Sequence, residues 1–104
     1  TVSEVRSNDE YGEGRPDVVT VIGETGIILE IKCVTPKALE AAGIKDNDRS
    51  RIKNLMASKL NNAVKQIHDN EYVEAVLDDE PLARTVKAYA VCFCRKWCMV
   101  RLVE

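Results

Sequence analysis

The sequence predicts a single α/β or α+β domain: a mixed sheet of about five strands with one long amphipathic helix packed on it. Three observations carry that reading. Two β-branched runs, DVVTVI (17–22) and IILEIKCV (27–34), are joined by a short glycine-containing turn, GETG. Apolar residues then recur at Ile52, Leu55, Met56, Leu60, Ala63, Val64 and Ile67, the spacing of one helix face. Finally TVKAYAVCFC (85–94) and WCMVRLV (97–103) flank Arg95-Lys96 as a second hairpin. Strand, hairpin, long helix, hairpin is an order in which a helix covers a sheet face.

The 104 residues suffice for one compact domain, 1–104, and not for two. With 45% hydrophobic and 31% charged residues the chain reads as an ordinary globule rather than a disordered or fibrous one. No apolar run approaches the roughly 20 residues of a membrane-spanning helix, so no membrane role is expected. No secretory leader is visible, which makes a reducing, cytoplasmic setting the expectation for its four cysteines. A formal net charge of −2 argues against a protein that coats nucleic acid by charge alone. Nucleic-acid chemistry here would have to be local and would need a cation.

Taken in order, TVSEVRS (1–7) is compatible with a first short strand, and NDEYGEGRP (8–16) is a polar loop punctuated by two glycines and a proline. Both faces of the central hairpin are largely apolar, as in a sheet covered on both sides. Thr35-Pro36 reads as an N-cap with proline in the first turn of a short helix, KALEAA, which Gly43 stops. IKDNDRSR (44–51) reads as a solvated loop before the long helix. That helix either runs on or restarts near Asp69-Asn70, through Tyr72, Val73, Val76 and Leu77, until Pro81.

The central hairpin holds the residues that suggest chemistry. With its turn centred on Glu24-Thr25, facing residue numbers sum to 49, so Asp17 faces Lys32 and Val19 faces Glu30. Residues two apart on one strand share a side, so Asp17, Glu30 and Lys32 converge on one face at the open end. Two carboxylates at roughly 7–8 Å cannot be buried and ionised without counter-charge. Lys32 supplies one positive charge, and a hard divalent cation such as Mg²⁺ would supply more while keeping positions open for water and phosphate. Such a cation polarises a phosphodiester and lowers the pKa of bound water. On the hairpin alone a plain cross-strand ion pair is the favoured alternative, as solvated surface charge is a third.

The surrounding residues shift the balance. Pro16-Asp17 followed by Glu30-Ile31-Lys32 resembles the signature of the PD-(D/E)XK nuclease superfamily. More narrowly, SNDEYGEGRPDVV, GIILEIKCV, AVKQIHDNEY and AYAVCFCRK are similar to a bacterial group in which the nuclease-like domain follows an AAA-ATPase-like domain, with residues 35–51 as an insertion or longer connection. The resemblance implies a restriction-endonuclease-like core and a metal-dependent nuclease hydrolysing DNA phosphodiesters with Mg²⁺ or Mn²⁺. It implies Asp17 and Glu30 as metal ligands with the Ile31 carbonyl as a third oxygen, Lys32 as catalytic lysine, and Gln66 on the following helix positioning water or phosphate. Glu10 and Arg15 would be accessory residues, an acid in the preceding loop and a phosphate contact. Members carry a helix before the first core strand, and this chain begins at Thr1 without it. The resemblance therefore implies a C-terminal piece of a longer chain, or a fold completed by a partner chain such as a second copy. Duplex or branched DNA and an ATPase-like domain of the same parent chain are the implied partners. The competing expectation is an inactive nuclease-fold module that serves the ATPase-like domain.

Other motifs are weaker. A turn at Arg95-Lys96 makes Cys98 face Phe93, with Cys92 and Cys94 on the opposite side, so three thiolates enclose one tetrahedral zinc only if a bulge shifts the register, and buried cysteines acting as small hydrophobes are the better account. His68, the one histidine, has no nucleophile motif beside it and suits the end of the helix, where a cation complements the dipole. Lys53, Lys59 and Lys65 give the long helix a basic edge that could guide a DNA backbone.

Overall fold

A computed structural model describes the backbone of residues 2–7 and, with side chains, residues 16–103. The strands are β1 (Val2–Ser7), β2 (Val18–Ile22), β3 (Thr25–Cys33), β4 (Thr85–Cys94) and β5 (Trp97–Val103). The helices α1 (Pro36–Ala41), α2 (Arg49–Asp69) and α3 (Tyr72–Asp79) all fall between β3 and β4. The five strands form one sheet in sequence order, antiparallel throughout except for the parallel β3–β4 pair. A parallel pair needs a crossover connection, and the three helices make it. The strands and the long helix lie where the sequence placed them; the polar loop 8–15 lies outside the described residues.

Local signals account for the element ends. The Thr35 hydroxyl accepts the Ala38 N–H, and Pro36 occupies the first turn of α1. Helix α2 begins at Arg49, three residues before Ile52, because the Asp48 carboxylate caps it by accepting the Arg51 N–H. Of the two expectations for its far end, the restart is observed. Glu71 takes a left-handed φ of +55°, and α3 sets off from Tyr72.

The first hairpin differs from expectation in register. Ile22 pairs with Thr25 and Val18 with Leu29, so facing numbers sum to 47 rather than 49. The turn closes on Gly23-Glu24 because Gly23, at φ +61°, supplies the positive φ that tight hairpin turns demand, and this draws Thr25 and Gly26 into β3. A shift of two preserves which residues share a face. Along the strands Asp17 therefore falls beside Glu30, not Lys32.

All three helices pack on one face of the sheet. Leu39, Ile52, Met56, Leu60 and Ala63 bury against Ala90, Cys92 and Cys94. Farther along, Ile67, Tyr72 and Val76 bury against Val19, Ile28 and Ala88. The apolar pattern of the hairpin predicts a sheet covered on both sides, and the described helices cover one of them. Among the described residues the second face carries half-buried Ile27, Leu29 and Ile31 and exposed Phe93, Val100 and Leu102.

Ile28 is fully buried where α2 and α3 meet the sheet. Ile28→Ala is expected to cost about 2–5 kcal/mol in urea unfolding, while Leu82→Ala, at 62% exposure, leaves the midpoint nearly unchanged.

Candidate functional site

The open end of the β2–β3 hairpin is shaped by Pro16. Proline has no N–H to give a ladder, and the regular β2–β3 pairing ends at Val18–Leu29. Beyond that point the Ile31 N–H donates instead to Oδ2 of Asp17, at 2.6 Å. One side chain thus finishes the hydrogen bonding of β3 and is itself fixed in place. The N–H and C=O of a strand residue point toward the same neighbouring strand. The Ile31 carbonyl consequently opens on the side where Asp17 lies.

Glu30 projects to the helix-covered face and is only 3% exposed. Its strand neighbour on β4 is Ala90, small enough to leave room for a carboxyl beneath the helices. Burial pushes the Glu30 carboxyl up to about 7, and its hydrogen bond with Asp17 and the Asp17 charge push the same way, with Lys32 opposing them. Glu30 therefore keeps its proton through the mildly acidic range and gives it up around neutrality.

The helical layer completes the arrangement. Lys32 Nζ donates to Gln66 Oε1 on α2. Tyr72, 1% exposed, donates its hydroxyl to Glu30 Oε2 at 3.5 Å and accepts from Asn70 Nδ2 at 3.2 Å. The Tyr72 hydroxyl is raised above its ordinary value by burial, with Asn70 opposing. Asp17, Glu30, Lys32 and Gln66 therefore come together, and Ile31 offers its carbonyl at the margin. Glu10 and Arg15 lie outside the described residues. Sequence reasoning placed Tyr72 only on an apolar stripe and did not single out Asn70. The available signal was chemical: a buried tyrosine needs a partner for its hydroxyl, and a buried glutamate needs donors.

The donor set fits a hard divalent cation. Among the described residues no group of three or more His, Cys, Asp or Glu side chains gathers; the oxygens at hand for a cation are those of the Asp17 and Glu30 carboxyls and the Ile31 carbonyl. Mg²⁺ is commonly held by only one or two carboxylates with water and substrate oxygens completing its shell. A cation there would replace the proton that Glu30 otherwise retains. The cysteines offer no such set: Phe93 pairs with Cys98, while Cys92 and Cys94 are buried on the other face. A cavity of about 270 Å³ lined by Arg49, Lys53, Met56, Trp97 and Met99 lies toward β5 and shares no residue with this centre.

A family model described as the PD-(D/E)XK nuclease superfamily matches residues 1–102. No curated protein and no solved structure matches the chain.

The raised Glu30 carboxyl sets a pH dependence. Below about 4.5, its ordinary value, folded and unfolded chains both hold the proton. Between there and about 7 the unfolded chain releases it first, so stability falls as pH rises, and above 7 the loss levels off. The plateau penalty is about 3 kcal/mol, at about 1.4 kcal/mol per pH unit between the two values. Glu30→Gln, neutral throughout, is expected to be more stable than the wild type at pH 8 without metal and nearly equal to it at pH 4. Urea midpoints of both chains at the two pH values check this; a difference independent of pH contradicts it.

Proposed function

We propose, because the chain belongs to the PD-(D/E)XK nuclease superfamily, that the Asp17–Glu30 centre is the active site of a divalent-metal-dependent nuclease acting on DNA phosphodiesters. The observation that carries the proposal is the contact between two carboxyl groups, one of them buried and raised to about 7, at a strand end where a lysine is also held. An ion pair with Lys32 needs only one carboxylate; a second one set against the first calls for further positive charge, which a divalent cation supplies.

In this reading Asp17, Glu30 and the Ile31 carbonyl hold Mg²⁺ or Mn²⁺. The bound ion supplies Lewis acidity at the phosphoryl oxygens and lowers the pKa of water at its open positions. The protein supplies the rest. The hydrogen bond from the Ile31 N–H fixes the Asp17 carboxylate. The Tyr72 hydroxyl fixes one oxygen of Glu30, leaving its other oxygen to turn toward the shared centre. Lys32 presents an ammonium to the charge that develops on the phosphoryl group, and Gln66 keeps that ammonium in place. Because Gln66 is an uncharged acceptor, it orients Lys32 without neutralising it.

The wider setting belongs to the same proposal: an ATPase-like domain of the same parent chain, the bacterial cytoplasm, and self-association on duplex or branched DNA. No helix among the described residues is long and apolar enough to cross a membrane. The second sheet face, with Phe93 42% and Val100 60% exposed, supports burial against further protein.

Calorimetric titration with Mg²⁺ or Mn²⁺ separates the roles. Asp17→Asn and Glu30→Gln are expected to lose metal binding and cleavage together. Lys32→Ala is expected to keep metal binding and lose at least about 100-fold in cleavage rate, the scale of removing one preorganised electrostatic group. Unchanged cleavage in any of the three overturns the proposal. In Tyr72→Phe, metal affinity is expected to fall about 10-fold or more, as when an outer partner of a metal ligand is removed; unaltered affinity means that tyrosine only packs.

A further inference from the structure

The three lysines of α2 do not form one edge. Residues six apart on an α-helix differ by about 600°, so Lys53, Lys59 and Lys65 stand about 120° from one another. The buried stripe of Ile52, Met56, Leu60, Ala63 and Ile67 fixes the wheel. Lys65 points directly away from the sheet and is exposed, and Lys53 is exposed on the flank that faces β5. Lys59 lies on the opposite flank and is half-buried. Gln66, seven residues on, shares that flank to within about 20° and lies about 10 Å farther along the axis.

The sheet beneath gives the same location. Burial raises the Cys92 thiol, and the Lys59 ammonium acts on it in the opposite direction, so Lys59 lies within electrostatic reach of Cys92. Cys92 in turn pairs with Lys32 across β3 and β4. With its flank turned away from β5, this puts Lys59 on the side of α2 toward β3, the strand that carries Glu30 and Lys32. The aliphatic stem of Lys59 is partly covered, as for lysines whose stem packs while the head stays wet. No hydrogen bond or ion pair from its ammonium to a described residue occurs, whereas Lys32 is held by Gln66.

We propose that Lys59 is a substrate-positioning residue that binds a backbone phosphate of the nucleic acid, displaced along the strand from the one at the centre. The inference rests on the nuclease reading above. Lys59 stands about 10 Å from Gln66 along α2, so the phosphate it meets is not the one at the centre. A cation that far from the reacting phosphate contributes to binding and register and not to the chemical step. Lys65, on the same helix but facing away, makes no such contact.

The test uses the whole chain and a short duplex DNA, with binding followed by fluorescence anisotropy in EDTA over a salt series. Lys59→Met keeps the packed stem and removes the charge; Lys59→Arg restores it. The expected result is a slope of log affinity against log salt that is less steep by about 0.9 in Lys59→Met, unchanged in Lys65→Met, and near wild type in Lys59→Arg. In cleavage assays with Mg²⁺, Lys59→Met raises KM and leaves kcat unchanged. Equal slopes in wild type and Lys59→Met, or equal losses in Lys59→Met and Lys65→Met, overturn the inference. A wild type that does not bind DNA also overturns it. A wild type that binds with the expected slopes but never cleaves sinks the nuclease reading and leaves the phosphate contact standing.

Discussion

Two carboxyl groups share one small space at the end of the central hairpin, and the neighbouring geometry follows from what that requires. Asp17 and Glu30 are close enough to hydrogen-bond, and Glu30 has almost no contact with solvent. Like charges at that distance are costly in a poorly solvated site. The pair therefore holds a proton, which keeps the Glu30 carboxyl neutral until about pH 7, or a cation. Pro16 ends the ladder so that the Ile31 N–H turns to Asp17. Ala90 leaves room on the neighbouring strand, and Tyr72 covers Glu30 from the helical side. A core built for stability alone would place an aliphatic residue at position 30. Keeping a carboxylate there costs folding free energy, a cost that the proposed cation site accounts for.

The helical layer supplies what the hairpin lacks. Because β3 and β4 are parallel, the chain must cross over between them, and the crossover brings α2 back along the sheet. One flank of α2 then passes the centre and delivers Gln66 to Lys32, with Lys59 on the same flank two turns earlier. The turn at Asn70-Glu71 redirects the chain so that Tyr72 points into the sheet instead of continuing the stripe of α2. Both halves of the core hold this helix down, so the side chains of the centre stand on packed elements rather than loops.

Alternation and periodicity made the elements and faces legible in the sequence, because both are local properties of the chain. The face shared by Asp17, Glu30 and Lys32 followed from a period of two and survived a register shift of two. The register itself depended on which residue of GETG would take a positive φ, and Gly23 rather than the Glu24-Thr25 pair decided it. The Tyr72–Glu30 contact spans 42 residues and a helix break. No spacing rule carries across such a break. The basic edge of α2 failed for a simpler reason: a period of six does not return to one side of a helix with 3.6 residues per turn. Gln66 was singled out through resemblance rather than periodicity, since a margin position on a helix is as compatible with solvent as with a site.

The central claim is that a cation replaces a proton at the Asp17–Glu30 pair, and the number of protons released on metal binding measures it directly. Mg²⁺ or Mn²⁺ titrations in buffers of different ionisation enthalpy give that number at each pH. With the Glu30 carboxyl at about 7, the account predicts close to one proton released per metal bound at pH 6, falling toward zero by pH 8. Metal binding with no proton release at pH 6, or with release that does not change across this range, would contradict it.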